Sequence, residues 1–187
     1  MYDQIIGGLW LLWCFYWFIA AGATKSTARR ESLASRATHL VPLVIGLILI
    51  ASPRLAGNVL STHVLPPSRA LVWAGIGLMV AGLGFTVWAR VHLGANWSGT
   101  VTLKESHELI RSGPYAWVRH PIYTGLLTAI LGNAIARDEW RAVIGFALVV
   151  ASLVWKLRLE ERWMREIFGE QYVKYAREVR ALVPGVY

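Results

Sequence analysis

The chain has 187 residues, 56% of them hydrophobic and only 16% charged, with ten tryptophans and a formal net charge of +8. A soluble domain carries about 25% charged residues, so this composition excludes an ordinary soluble globule and points to a membrane protein of one domain. The basic residues flank apolar runs instead of forming one stripe, which argues against nucleic acid and for a membrane surface as the partner.

Five apolar segments predict five transmembrane helices. Residues 5–23 form the first. They are longer than a signal-peptide core, and Asp3 is the only charge before them, so a retained span is expected and not a cleaved leader. Cys14 within this run is the only cysteine, which leaves no intrachain disulfide and no cysteine-based zinc site. Residues 40–52 form the second span, which needs Thr38 and His39 to extend it. Residues 70–89 form the third and contain Gly75, Gly77, Gly82 and Gly84, with Gly77 and Ala81 four apart. Small residues at such spacing let helix backbones approach closely in lipid. Residues 122–136 and 142–155 form the fourth and fifth, joined by Arg137, Asp138 and Glu139 as a helical hairpin.

Lysine and arginine resist translocation and so set the orientation. With the N-terminus outside, the inner loops and tail hold Lys25, Arg29, Arg30, Arg36, Arg90, Lys104, Arg111, Arg119 and seven further basic residues from Lys156 to Arg180. That makes 15, against only Arg54, Arg69, Arg137 and Arg141 outside. The expected topology is N-terminus out and C-terminus in.

Two polar segments then face the cytoplasm, residues 90–120 and 156–187. In the first, the alternation of residues 98–104 predicts a short strand, and Leu109 and Ile110 a return strand. Ser112-Gly113-Pro114-Tyr115 is a turn signal. Pro121 suits the first turn of the fourth span, which puts His120 at a helix N-terminus, a place that favours anionic groups. In the second segment the fifth helix runs on past Trp155. Glu160 and Glu161 lie on it, where they can pair with Arg158, Arg162 or Arg165 or serve a ligand. Gly169 after Phe168 predicts the helix end, and residues 171–179 a further amphipathic helix carrying Tyr172 and Tyr175.

The sequence has no glycine-rich dinucleotide or phosphate loop, no paired-histidine metal motif and no nucleophile elbow. No metal is expected. What remains is a cluster of His, Tyr, Arg and two carboxylates at one mouth of the bundle. It suits a soluble cationic cofactor, held by carboxylates and aromatic rings, that meets a lipid-borne substrate.

The run His107-Glu108-Leu109, Ser112-Gly113-Pro114-Tyr115, Arg119-His120-Pro121 and Tyr123 resembles the core motif of the isoprenylcysteine carboxyl methyltransferase family. Glu160-Glu161, Phe168-Gly169, Tyr172, Tyr175 and Pro184 resemble its second block, in the same order, over about half of the chain. The resemblance implies an all-α integral membrane fold whose cytoplasmic cofactor pocket is built by residues 90–123 and the C-terminal helices. It implies S-adenosylmethionine as cofactor, with His107, Leu109, Gly113, Tyr115, His120, Pro121, Tyr123, Glu160 and Glu161 lining its site. Lys156, Arg158 or Arg119 would orient an acceptor carboxylate, and Asn96 and Trp97 correspond to a pair on the substrate side. The first three spans (residues 1–91) would serve the substrate and residues 92–187 the cofactor. The acceptor would be lipophilic or membrane-embedded. It would be a carboxylate by family resemblance, or else a phospholipid amine or a thiol. The short chain and its loop pattern point to a prokaryotic inner membrane. Two readings from other classes remain: a nicotinamide-dependent membrane reductase and a non-catalytic membrane scaffold.

Overall fold

The computed structural model describes residues 1–21, 27–52, 57–94, 97, 102–104 and 109–186. Among these, the elements in chain order are α1 (Tyr2–Ala20), β1 (Thr27–Arg30), α2 (Leu33–Ala51), α3 (Gly57–Leu60), α4 (Arg69–Leu93), β2 (Thr102–Lys104), α5 (Pro121–Arg137), α6 (Trp140–Phe168) and α7 (Glu170–Glu178). Lys25, Arg54, Asn96, His107 and the first residues of the predicted 98–104 strand lie outside the described residues.

Within the described residues each predicted apolar segment falls on a helix, the first to Ala20 and the second to Ala51, while residues 22 and 23 of the first lie outside the described residues. Four helices, α1, α2, α4 and α6, are long and apolar enough to cross a membrane. α5 is shorter, at 17 residues. The second segment starts earlier than its apolar run, at Leu33, because Ser32 caps the helix by accepting a hydrogen bond from the Ser35 amide (3.3 Å). α6 has 29 residues, about 44 Å at about 1.5 Å per residue, against a hydrocarbon core of about 30 Å. Its polar portion from Lys156 onward therefore extends beyond the apolar stretch that ends at Trp155. Gly169, at φ +50°, ends it, as the sequence predicts.

α4 packs along α5, α5 along α6, and α6 along α2, while α1 leans on α4. Ile6, Ile76, Met79, Leu83 and Ala129 form one core cluster, and Ile50, Ile130, Val149 and Leu153 a second. The outward faces carry Leu11, Phe15, Phe18, Val41, Val44 and Val80 exposed, as helices bounded by lipid require. The close crossings use glycine, but not the pair the spacing favours. A Cβ on Gly82 would sit 2.5 Å from Ala129 N and Gly125 O, and one on Gly75 would sit 2.5 Å from Gly132 O. Gly77 and Gly84 have open space. The contact face of α4 is thus the Gly75–Gly82 face, seven residues apart, which is two helical turns.

The strand expectation needs a second correction. β2 pairs antiparallel with β1, and Leu109 and Ile110 are irregular. The ribbon links the α1–α2 connection to the α4–α5 connection, a long-range pairing that local alternation does not reveal.

At the end away from the acidic pair, Arg141 is fully buried. It pairs with Glu139 and donates to the carbonyls of Leu49 (2.8 Å) and Ile50 (2.7 Å). It thereby satisfies the C-terminal carbonyls of α2 that a helix leaves unpaired. Asp138, at φ +51°, turns the α5–α6 hairpin and accepts from the Leu65 amide at 3.1 Å. A residue that reads from sequence as a flanking surface charge is a structural clamp.

Candidate active site

α5 begins where three chain segments meet. The short 3-10 turn Gly113–Ala116 leads into Val118, which bridges to Arg180. The amides of Arg119 and His120 then donate to the carbonyls of Arg180 (2.8 Å) and Ala181 (3.0 Å). The Thr124 hydroxyl donates to Leu182 O at 2.7 Å. The C-terminal tail is therefore stitched to the N-terminus of α5, and its Ala181 and Leu182 pack on Leu157 of α6. Gly113 adopts φ +58°, and a Cβ there would lie 2.7 Å from the His92 ring. Only glycine gives that turn both its conformation and its space. His92 in turn meets the Ser112 hydroxyl at 2.8 Å.

This stitching places Arg119, His120 and Tyr123 against Glu160 and Glu161. Arg119 Nε donates to Glu161 Oε1 at 2.8 Å, and a second guanidinium nitrogen reaches the same oxygen. Its remaining nitrogen donates to the carbonyls of Ala176 (3.2 Å) and Val179. Arg165 adds a contact to Glu161 Oε2 at 3.2 Å. Of the possible partners along the helix, Arg165 is used, but the dominant partner is Arg119, 42 residues away. Burial pushes the Glu161 carboxyl up, but its contacts with His120 and Arg119 outweigh that and hold it at about 2. A depressed carboxyl contributes stability that is fully present above its unfolded value and is lost progressively as pH falls toward about 2, so Glu161 stays ionised through the physiological range.

Glu160 is arranged differently. Its Oε1 accepts from the Tyr123 hydroxyl at 2.6 Å and lies 3.9 Å from Lys156 Nζ. Its Oε2 lies 3.6 Å from His120 Nδ1. Its side chain keeps 23% exposure, against 9% for Glu161. Glu161 is thus held by the protein, while Glu160 retains acceptor capacity. The His120 and Tyr123 rings are parallel, 1° apart in plane, with centroids at 5.6 Å. His120 Nε2 is buried 3.4 Å from Glu161 Oε1, too poorly aligned for a full hydrogen bond. Lys156 Nζ sits 5.4 Å from the Tyr123 ring centre.

α7 closes the site from below. Tyr172 and Tyr175 are buried, and the Tyr175 hydroxyl donates to the Tyr115 carbonyl. Burial pushes both hydroxyls up, Tyr175 to about 12, and raises Tyr115 as well. All three therefore stay neutral hydrogen-bonding groups.

The structure therefore brings together Tyr115, Arg119, His120, Pro121, Tyr123, Lys156, Glu160 and Glu161, with Gly113 shaping the approach. Pro121 occupies the first turn of α5 and is buried. Leu109 is half-buried, the first described residue after the loop. Arg158 is exposed. It lies two residues from Lys156 and from Glu160, on the other side of α6. Trp97 stands apart, against Trp17 (5.0 Å) and the Arg90 guanidinium (4.7 Å) at the end of α1. Asn96 and His107 fall outside the described residues. Sequence reading missed Thr124 and the 180–182 backbone as partners of the α5 N-terminus, because carbonyl acceptors leave no signature in side-chain identity.

The phospholipid methyltransferase family model matches residues 70–171, more than half of the chain and the stretch that carries both halves of this site. The chain belongs to the phospholipid methyltransferase family. It is 30% identical over 115 residues to protein-S-isoprenylcysteine O-methyltransferase B of Arabidopsis thaliana, which covers 60% of this chain and 58% of that protein. It is 29% identical over 118 residues to protein-S-isoprenylcysteine O-methyltransferase of Schizosaccharomyces pombe, covering 59% and 48%. The chain spans about half the length of these curated relatives. A solved structure of the eukaryotic intramembrane Ras methyltransferase ICMT superposes with a TM-score of 0.55 at 22% identity, covering 82% of this chain and 52% of that one. That likeness establishes a shared membrane-protein fold. The stretch that matches the phospholipid methyltransferase family model, residues 70–171, holds the His120, Tyr123, Glu160 and Glu161 cluster.

Proposed function

We propose that this protein is an integral membrane methyltransferase. It moves a methyl group from S-adenosylmethionine to a carboxylate on a lipophilic, membrane-borne acceptor. The observation that carries the reading is the partly exposed Glu160 beside the stacked His120–Tyr123 pair, inside the family-matching region. The chemistry of the residues fits the donor. Glu160 can accept from an ammonium or ribose hydroxyls, the buried Nε2 of His120 keeps hydrogen-bonding capacity, and the Tyr123 and His120 rings offer aromatic surface.

S-adenosylmethionine, when bound, supplies a methyl group already activated on a sulfonium. The chain's own residues then have three tasks. Glu160 and His120 bind, assisted by Tyr115, Leu109 and the Gly113 turn. Arg119, held by Glu161 and the α7 carbonyls, keeps the wall of the site in place. Lys156 orients the acceptor, because a carboxylate is already a nucleophile and needs a cation more than a base. Arg119 is engaged with Glu161 and the α7 carbonyls and Arg158 faces away, whereas Lys156 Nζ lies at the site, 3.9 Å from Glu160 Oε1. Alignment and exclusion of water provide the rest of the acceleration.

The proposed placement is five spans, N-terminus out, with the site at the cytoplasmic face. Its support is the charge asymmetry and the polar extension of α6 beyond its apolar stretch. The first three spans serve the acceptor, and a prokaryotic inner membrane is the proposed location. The test uses the purified full chain in detergent with tritiated-methyl S-adenosylmethionine and an N-acetyl-S-prenylcysteine. The expected product is a base-labile methyl ester. Label stable to base on a phosphatidylethanolamine acceptor would instead favour amine transfer, as the family's name implies. Turnover of a reduced nicotinamide without methyl transfer would overturn the reading.

A further inference from the structure

His92 lies outside the chemistry assigned so far and reads from sequence as a boundary residue. It stands in the last turn of α4 with its side chain exposed. A histidine at a helix C-terminus commonly meets the free carbonyls of its own helix. This one reaches another segment instead. Its Nε2 meets the Ser112 hydroxyl at 2.8 Å, 20 residues along the chain. Its ring adjoins Tyr115, with 25° between the planes and centroids 6.4 Å apart. It also occupies the space of a Gly113 side chain, since a Cβ there would fall 2.7 Å from Cε1 and 2.9 Å from each ring nitrogen. One imidazole thus meets Ser112, Gly113 and Tyr115. Arg90 secures the end of α4 beneath it by donating to Gly94 O at 2.7 Å and Ala20 O at 2.5 Å. From α7, the Tyr175 hydroxyl donates to the Tyr115 carbonyl, and Arg111 pairs with Glu178 and lies 5.1 Å from the Tyr175 ring centre. The turn is therefore held between α4 and α7. The Tyr115 hydroxyl lies in the field of both Glu160 and Arg90, so the ring braced by His92 belongs to the wall of the Glu160 site.

We propose that His92 is a positioning residue: it sets the Ser112–Tyr115 turn and, through that turn, the affinity for the methyl donor. The hydrogen bond to Ser112 fixes the entry to the turn, the ring walls the bare face of Gly113, and its nearly parallel approach to Tyr115 fixes that ring. His92 touches none of the reacting atoms and acts through Gly113 and Tyr115. Glycine at 113 and the imidazole at 92 form a matched pair. A side chain at 113 collides with the ring, and loss of the ring leaves the turn without its wall. The inference rests on the methyl-transfer reading for the identity of the donor but not for the coupling of His92 to the turn.

The experiment uses the full chain in detergent, with S-adenosylmethionine as the probe. His92→Ala should raise its Kd about tenfold, through loss of one hydrogen bond and one ring contact. The KM of an N-acetyl-S-prenylcysteine should stay within about twofold, and the melting temperature without donor within about 2 °C, because the side chain is exposed. His92→Gln, which can still reach the Ser112 hydroxyl, should recover part of the donor affinity. Gly113→Ala should weaken donor binding by itself, and adding His92→Ala to it should cost less than His92→Ala costs alone, since the collision is relieved. Hydrogen exchange reads the turn without any donor. The amides of Tyr115 and Val118, bonded to Ser112 O and Pro114 O at 3.2 Å, should exchange faster in His92→Ala while those of α6 do not. An unchanged Kd in His92→Ala, a parallel rise of donor Kd and acceptor KM with a lowered melting temperature, or strictly multiplicative losses in the double variant would overturn the proposal. Faster exchange of the turn in His92→Ala, in a protein whose wild type binds no S-adenosylmethionine, would uphold His92 as the residue that sets the turn and overturn the methyl-transfer reading.

Discussion

Replacing Glu161 by Gln is expected to unfold the α5–α7 end of the molecule at markedly lower temperature and to abolish cofactor binding with it. The substitution leaves the Arg119 guanidinium 9% exposed, without the carboxylate that neutralises it. Removing one partner of a buried ion pair costs about 3–5 kcal/mol, because the other charge stays buried and uncompensated. Arg119 also ties Ala176 and Val179 to the α5 N-terminus, so its displacement loosens α7 and the 180–182 backbone. Glu160→Gln should behave in the opposite way. Gln can still accept from the Tyr123 hydroxyl, so stability should change by no more than about 1 kcal/mol. Donor affinity should nevertheless fall about tenfold or more, since a hydrogen bond to a charged group is worth about 1.5–3 kcal/mol. Thermal unfolding in detergent, with and without S-adenosylmethionine, separates the two. Equal losses of stability in both variants would show that the division of labour between the two acids is wrong.

The second large effect lies in the membrane. Gly82→Val should prevent assembly of the bundle, because even a Cβ at that position meets backbone atoms of α5 at 2.5 Å. Backbone cannot yield as a flexible side chain does, so α4 and α5 must separate, and the loss should exceed the about 1–3 kcal/mol typical of overpacking. Gly77→Val and Gly84→Val, on the open side of the same helix, should cost less than about 1 kcal/mol. Size-exclusion profiles and melting temperatures of the three variants check this. Similar behaviour of all three would mean that α4 does not pack through its Gly75–Gly82 face.

What the sequence discloses depends on the range over which each feature is encoded. Apolar runs are local, so every helix that carries a predicted span was legible, as were the Gly169 stop and the position of Pro121 at the start of α5. The Ser32 cap was equally local, but it lies in a polar stretch outside the 40–52 run. The tertiary partnerships were not legible. Glu161 has basic neighbours along its own helix, and nothing in α6 says that its dominant partner is Arg119. Gly77 and Ala81 have the favoured spacing, yet rotation of α4 about its axis turns Gly75 and Gly82 to the contact. That rotation is set by packing against α1 and α5 together. Arg141 reads as a flanking charge because its role depends on the carbonyls of Leu49 and Ile50, which have no side-chain signature. His39 reads as a boundary residue, and only the fold shows it paired with Glu31. His120 lies within 4 Å of both Glu160 and Glu161, and the Tyr123 hydroxyl donates to Glu160 at 2.6 Å, so residues of both sequence blocks meet there.

The most direct measurement is equilibrium binding of S-adenosylmethionine to the purified full chain by calorimetry in detergent. Saturable binding at one site per chain, weakened about tenfold or more in Glu160→Gln with the fold intact, is the expected result. Absence of saturable binding to the folded wild-type protein at millimolar cofactor would contradict a donor site at the His120–Tyr123–Glu160 cluster.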